Sequence, residues 1–370
     1  MRRIISITAA LLLWIVIGGS AFADSAQDGF DYGREQLEAA VPETAAELLE
    51  EGGITPENGG ALSWSFTGVL SFIWDMVKER AVKPLRLLIS LCGVVLLCAM
   101  ANSIADTGSS SLKGVFSAVG VLAGAGIAVS AVWEVLNETL TMLSGAANFI
   151  LVFIPIFAAV TAVLGHALSA TAVNTASLAA TQLFSQLAVN FLAPMCGAIM
   201  GLSVTGAIHP QLNLAKLGEI IKKFVVWGLT LIMTVFMSIL STQTVVAASS
   251  DNTLIRTAKF MVSSGVPIVG GTISDAVNTV QGSLETLKGS IGTYGIIAAA
   301  AIILPTLITV GCYKLSMMCA RCAGEIFGLK ELSELFKSCE SVMAIILAVQ
   351  VCFLLLNTFA VIILLVAGNG

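Results

Sequence analysis

Few residues of this chain have the types and the spacing that enzymes use. Ser203 follows Gly201 in a Gly-x-Ser motif and His209 comes six residues later, which superficially suggests an intramembrane serine protease. Side chains share a helical face when they are three, four or seven positions apart, so a separation of six does not bring these two together. The chain also has no G-x-x-x-x-G-K-[ST] phosphate-binding motif. The sequence therefore predicts neither a serine protease nor a P-loop motor.

The second pattern that could do chemistry is Cys319-Ala-Arg-Cys322, with Cys312 and Cys339 nearby. A structural zinc site needs four converging ligands, commonly from a second C-x-x-C motif, and the chain has no such second motif. The remaining cysteines lie in apolar segments, where a small thiol packs as a core residue. We therefore expect no metal, no cofactor and no enzymatic activity.

Composition points to the membrane. The 370 residues are 57% hydrophobic and only 11% charged, with a mean hydropathy of +0.95, whereas soluble domains are about 25% charged. No basic patch is present that could bind nucleic acid. The sequence predicts an all-α, polytopic integral membrane bundle with the lipid bilayer as its first partner.

The N-terminal residues 1–23 have the pattern of a signal peptide. Two arginines precede the apolar run Ile4 to Ile17, and Ala21-Phe22-Ala23 forms an A-x-A cleavage site. The alternative is an uncleaved first anchor. Both interpretations place Asp24 outside the cytoplasm.

Residues 24–60 form an acidic segment in which ten carboxylates face the single base Arg34. Its few leucines allow a short helix between Asp31 and Glu51 but too little apolar surface for a folded domain. We expect a solvated extracytoplasmic arm; a docking arm for a partner is the alternative. Residues 61–83, with paired tryptophans and flanking bases, predict an amphipathic helix lying in the membrane interface.

Residues 84–370 form the predicted membrane domain. A crossing needs about 20 apolar residues, and His166 to Gln186 is a doubtful segment that is re-entrant, interfacial or an eighth crossing. With seven crossings and an exported N-terminus, the later lysines and arginines fall outside, against the positive-inside tendency; with eight they fall inside. The seven expected spans are Pro84–Ala105, Val115–Val135, Ala147–Leu164, Leu187–Ala207, Ile221–Val246, Ile291–Gly311 and Val342–Val366.

The expected spans hold uncharged polar stripes instead of central charges. The absence of a charge near any span centre disfavours a proton- or ion-coupled carrier, which binds and releases charge at mid-membrane. Two interpretations of the stripes remain open, the lining of a wet passage and hydrogen-bonded helix packing. The candidate passage-lining residues are Gln182, Gln186, Asn190, Thr230 and Thr234.

Glycine and proline positions in the spans predict how the helices pack. The motifs Gly120-x-x-x-Gly124 and Gly197-x-x-x-Gly201 favour close helix approach. Pro155, Pro194 and Pro305 permit kinks.

The segment 251–290 is the least ordinary part of the chain. Asp251 and Asn252 are expected to cap a short helix, Pro267 with Gly270-Gly271 to force a bend, and the following residues to form an amphipathic helix. This block resembles the stage III sporulation protein AE family of endospore-forming bacteria. The residues that carry the resemblance are Arg256, Lys259, Phe260, Pro267, Gly270, Gly271 and Asp275.

The resemblance implies a membrane subunit of the sporulation channel, a secretion-like complex that links mother cell and forespore and supports forespore development after engulfment. It implies a location in the mother-cell membrane surrounding the forespore, and partners that include other subunits and an ATPase on a separate chain. For the block it implies structural or interaction residues, which we expect to form a hinge whose substitution impairs sporulation without loss of the protein. A stand-alone permease for a small solute is the alternative function.

Overall fold

The computed structural model describes residues 33–57, 66–105, 110–164, 166–208, 214–265 and 270–366. Within these ranges the side chains of 66–70, 104–105, 110–114, 215, 243–265, 270–281, 283 and 284 are not described. The described ranges contain helices and turns and no strand, so the predicted all-α class is confirmed. The expected signal peptide, residues 1–23, lies outside them.

Ten α-helices follow one another along the described chain. Helix α1 covers residues 33–40. A π-helical segment, Ala188–Leu192, joins α6 to α7 without a turn. The other helices are α2 (Glu43–Glu51), α3 (Phe66–Arg80), α4 (Val82–Ala105), α5 (Ser110–Val163), α6 (Ala167–Leu187), α7 (Ala193–Ile208), α8 (Leu214–Gly265), α9 (Gly270–Ile326) and α10 (Lys330–Val366).

Six helical stretches of the described chain are long and apolar enough to cross a membrane. Helices α5, α8 and α9 contain 54, 52 and 57 residues, far more than the roughly 20 that one crossing needs. The six stretches are Val82–Ser103, Val115–Val163, Ala167–Ile208, Lys216–Thr242, Glu285–Ile326 and Lys330–Val366.

The expected count of seven spans is not confirmed, because two of the expected spans belong to one helix. Val115–Val135 and Ala147–Leu164 were expected as separate crossings, but α5 runs unbroken from Ser110 to Val163. Glu134 and Glu138 lie near its middle without breaking it, because glutamate is a good helix former, and each carboxylate pairs with a base of the α3–α4 segment. The chain does not reverse between the two apolar halves.

The doubtful segment His166–Gln186 is also part of a longer element. It forms α6, which continues through the π segment into α7, so the expected span Leu187–Ala207 is the second half of one rod. This rod lies antiparallel to α5: Ala167 follows the turn after Val163, and Cys196 and Met200 line a cavity with Val132 and Leu136 of α5.

Helices α9 and α10 pack along α5 to form the centre of the bundle. Side chains at 149, 153 and 157 of α5 are phenylalanines with no exposed surface, and successive ring centroids are 5.6 and 5.5 Å apart. Their neighbours on α9 are Gly292 and Gly295. A Cβ atom at Gly295 would lie 2.0 Å from Cζ of Phe153, so only glycine permits this approach.

The glycine motifs of the sequence differ in outcome. A Cβ atom at Gly120 would lie 2.3 Å from Sγ of Cys98, and one at Gly124 would lie 2.6 Å from Cδ1 of Leu332. Close helix packing at this motif is therefore confirmed. The expectation is wrong for Gly197 and Gly201, since a Cβ atom at either position would meet nothing within 4 Å.

The acidic segment does not behave as a solvated arm over residues 33–57. Leu37, Ala45 and Leu49 are buried in the same core as α5 and α9, Gly33 approaches Ile156, and Pro42 approaches Gly145. One apolar residue per helical turn is enough to dock two short helices when a larger surface already exists to receive them. The short helix expected between Asp31 and Glu51 forms as α1 and α2.

Two other expectations concern helices that the structure describes. Helix α3 lies within the expected amphipathic segment 61–83, while its place in a membrane interface stays a prediction. The expected helix start at Asp251 is wrong, because α8 continues through this residue to Gly265. A capping residue begins a helix only where the preceding backbone is not already helical.

Replacement of Gly295 by alanine tests the close approach of α5 and α9. We expect Gly295→Ala to lower the free energy of unfolding in detergent by about 1–3 kcal/mol, the usual cost of overpacking. Gly289→Ala, on the same helix in open space, is the control and should leave stability unchanged or slightly raised. Equal stabilities of the two variants in a denaturant titration would contradict the packing.

A disulfide tests the docking of the acidic segment. A Cβ atom at Gly145 would lie 3.5 Å from Cγ of Pro42, which is close to disulfide geometry. In a chain whose native cysteines are replaced, oxidised Pro42→Cys/Gly145→Cys should form an intramolecular disulfide, detected by mass spectrometry. The control pair, Pro42→Cys/Gly126→Cys, is displaced by about 28 Å along α5 and should stay reduced. Equal yields would mean that the segment is not docked.

Candidate functional site

The residues first considered for catalysis do not assemble into a site in the structure. The hydroxyl of Ser203 is buried and donates a hydrogen bond to the carbonyl oxygen of Ile199 at 2.6 Å, within its own helix. His209 lies outside the described residues. Cys319 and Cys322 are exposed free thiols on α9. Within the described ranges no three His, Cys, Asp or Glu residues lie close enough together to hold a metal ion.

Buried polar side chains form hydrogen bonds between helices where α10 contacts α5 and α6. Gln350 has no exposed surface, and its amide nitrogen donates to Oγ1 of Thr139 on α5 at 2.9 Å. Two helical turns further along α10, Oδ1 of Asn357 accepts a hydrogen bond from Oγ1 of Thr181 on α6 at 2.9 Å. In an apolar interior these bonds fix the register of three helices, because a slip would leave the amides unpaired.

The amide of Gln350 is only half satisfied. Its Oε1 atom is buried and has no hydrogen-bond partner among the described residues. Thr139 donates its own hydroxyl proton to the carbonyl oxygen of Val135 at 2.9 Å, so its oxygen receives the Gln350 proton as an acceptor. The pair therefore depends on the one hydroxyl of Thr139.

A second polar group lies at the middle of α5, beside the start of α4. Lys83 contacts Glu134 at 3.0 Å and Arg80 contacts Glu138 at 3.7 Å. With Arg86 and Tyr313, Lys83 and Glu134 line an open cavity of about 360 Å³. These pairs are partly or largely exposed, so each contributes at most about 1 kcal/mol to stability in water.

A third charged group joins the ends of α8, α9 and α10. Arg321 contacts Glu340 at 3.0 Å, Lys337 contacts Glu219 at 3.7 Å, and Lys222 donates to Oγ of Ser341 at 3.2 Å. The charged region 312–340 comprises the end of α9 and the start of α10. Gly328, with φ of 71°, makes the turn between them, a backbone conformation that favours glycine.

The candidate passage-lining residues are not among those that line the groove between the π segment and α8 or the two cavities beside α5. Gln186, Asn190, Thr230 and Thr234 are exposed, and Gln182 is half-buried. The hydroxyls of Thr230 and Thr234 donate to carbonyl oxygens one turn earlier in α8, at 2.9 and 2.8 Å. The groove between the π segment and α8 is lined by other residues, all of them apolar. Within one chain the wet-passage interpretation stays a prediction.

The block 251–290 is described only in part. Arg256, Lys259 and Phe260 belong to α8, while Gly270, Gly271 and Asp275 belong to the first turns of α9. Their side chains are among those not described, and Pro267 lies outside the described residues. Helices lie on either side of residues 266–269, and the predicted bend at Pro267 falls outside the described residues.

Comparison with known proteins identifies the family. The family model described as stage III sporulation protein AE matches residues 54–368. The chain belongs to this family. The resemblance noted in the block 251–290 is thereby confirmed, and the family implies a role in sporulation.

One curated relative is the stage III sporulation protein AE of Bacillus subtilis (strain 168). The two are 26% identical over 170 residues, which cover 46% of this chain and 43% of the relative. The matched region thus spans less than half of the relative's length. No solved structure matches the chain.

Sequence reasoning missed the residues that hold the bundle together. Gln350 and Asn357 are the two amides of the last expected span and are seven positions apart, which places them on one face of α10. That spacing was a usable signal. Their partners Thr139 and Thr181 could not have been identified, because a lone threonine in an apolar helix bonds equally well to its own backbone.

Two buried threonines of α5 provide a matched test of this contact. Thr139 supports Gln350, whereas Thr161, equally buried, donates only to the carbonyl oxygen of Phe157. We expect Thr139→Val to lower the free energy of unfolding by about 1–2 kcal/mol, because it leaves a buried amide unpaired. Thr161→Val should have little effect.

The double variant Thr139→Val/Gln350→Leu removes both partners and should recover most of the loss. Denaturation of the unchanged protein, Thr139→Val, Gln350→Leu and the double variant in the same detergent measures the coupling energy. If the two single threonine variants are equally stable, the Gln350 contact does not support the fold.

Proposed function

We propose that this protein is a membrane subunit of the sporulation channel, a secretion-like complex that links mother cell and forespore and supports forespore development after engulfment. Its place is the mother-cell membrane surrounding the forespore. It supplies a helical framework, and an ATPase on a separate chain supplies the energy. The family and the six apolar helical stretches support the sporulation and membrane parts of this proposal.

The observation that carries the proposal is the acidic layer on one side of an apolar bundle. Residues 33–57 present seven exposed carboxylates beside the apolar halves of α5 and α9. Charged side chains are not stable against hydrocarbon, so this side faces water or another protein subunit. The exposed acids are Glu35, Glu38, Glu43, Glu47, Glu50, Glu51 and Glu57.

The side formed by α8 has the opposite character. Only 6% of its spanning stretch is buried, and large apolar side chains such as Phe224, Trp227 and Leu231 are exposed along it. Such a surface is suited to lipid. A chain with one lipid-facing side and one charged side fits a subunit that borders a water-filled space together with neighbours.

The charge distribution supports an orientation for the bundle. Lys216, Lys222 and Lys223 of α8 lie at the same end as Arg321 and Lys337, since Lys337 contacts Glu219. Basic residues near short connections favour the cytoplasmic side. The acidic segment packs on the other half of α5, in agreement with an exported N-terminal region. This orientation places the block 251–290 outside the cytoplasm.

Co-purification and reconstitution test the proposal against the permease alternative. Tagged protein from sporulating cells should retain other membrane proteins of the complex and the separate ATPase, and the purified chain should transport nothing into liposomes. A control with the same tag on an unrelated membrane protein measures background. Saturable solute transport by the purified chain, with no retained subunits, would support the permease and overturn the proposal. Turnover of a substrate by the isolated chain would contradict a framework role.

A further inference from the structure

An apolar groove opens on the surface between the π segment and α8. Its volume is about 290 Å³. Phe191, Leu192 and Met195 form one wall, and Val225, Leu229 and Ile232 form the other. Gly228 belongs to the lining, and a Cβ atom there would meet nothing within 4 Å. The groove is therefore open space of purely apolar character on the lipid-suited side of the bundle.

The groove has a basic end. Lys223 directly precedes Phe224, which lines the groove, and is exposed. Among the described residues Lys223 forms no ion pair, while the neighbouring Lys222 donates to the neutral hydroxyl of Ser341. The nearby acid Glu219 is contacted by Lys337. Two ammonium groups thus retain capacity for an anion at this end.

The two features together have the polarity of a phospholipid. From Phe224 to Ile232 the groove follows α8 for about 12 Å, leading from the lysines into the apolar stretch. An ammonium pair attracts an anionic headgroup, and a groove lined by apolar residues accepts an acyl chain. An apolar helix of a partner protein would fill such a groove without needing the lysines.

We propose that the groove between the π segment and α8 binds an anionic phospholipid of the bilayer, with its phosphate at Lys222 and Lys223 and one acyl chain along Gly228. The π segment contributes to the site because its wider turn displaces the helix wall at Ala188–Leu192. The site does not depend on the sporulation role, since it consists only of residues of this chain.

Native mass spectrometry of the purified full chain tests the site. After incubation with equal amounts of phosphatidylglycerol and phosphatidylcholine, the protein should retain mainly phosphatidylglycerol. Lys222→Gln/Lys223→Gln should reduce this retention by about fivefold per lysine. Lys330→Gln is the charge control, because Lys330 is an exposed base away from the groove, and it should change nothing.

The acyl chain is tested separately. Gly228→Phe fills the groove and should reduce retention of both lipids, whereas Gly126→Phe, at an exposed and open glycine of α5, should not. Equal retention of the two lipids by the unchanged protein, or unchanged retention in both groove variants, would overturn the proposal. So would a Gly228→Phe variant that keeps its lipid but loses a partner membrane protein, since the groove would then be a protein contact. The lysine pair lies on the surface, so its result stands even if Gly228→Phe is unstable.

Discussion

The contact of Phe153 and Phe157 with Gly295 and Gly292 determines how the rest of this bundle is arranged. Helices α5 and α9 approach closely because α5 contributes phenylalanine rings and α9 contributes glycines, which have no side chain. The contact also explains how α5 continues through Pro155. A proline removes one backbone hydrogen bond, and dense packing on both sides of the residue holds the helix together where an isolated one would bend or break. With α5 fixed against α9, α10 follows through Gln350 and α6 through Asn357.

Because α5 is one continuous helix, the number of candidate membrane crossings in the described chain is even instead of odd. Seven crossings separate the later basic residues from the cytoplasm, which conflicts with the positive-inside tendency. In the orientation we propose, six crossings return them to the cytoplasmic end and leave the acidic segment at the other half of the bundle. The same arrangement gives the molecule one charged side and one apolar side. Both features fit a chain that works beside other subunits, and the phospholipid proposed at α8 would complete its lipid-facing side.

The sequence was sufficient for the class of fold and for most apolar segments, because hydropathy over about 20 residues is a strong signal. It was insufficient for helix ends. Glu134 and Glu138 interrupt the apolar pattern as a loop would, but glutamate is a good helix former, and the two carboxylates pair with Lys83 and Arg80 without ending the helix. Asp251 was also misleading, because a capping residue type indicates a helix start only where the preceding backbone is not already helical. The docking of α1 and α2 depends on the surface of α5 and α9, which short-range patterns do not contain. The family block was recognisable by its residues, but the contacts of Gln350 and Asn357 were not.

The central claim is that α5 is one helix much longer than a bilayer is thick. Spin labels at Val115 and Val163, both exposed on α5, measure this directly in a chain without other cysteines. Pulsed electron paramagnetic resonance should give a distance of about 70 Å between the labels for an unbroken helix. A distance below about 40 Å would show that the two apolar halves cross the membrane separately as a hairpin, and it would contradict the account.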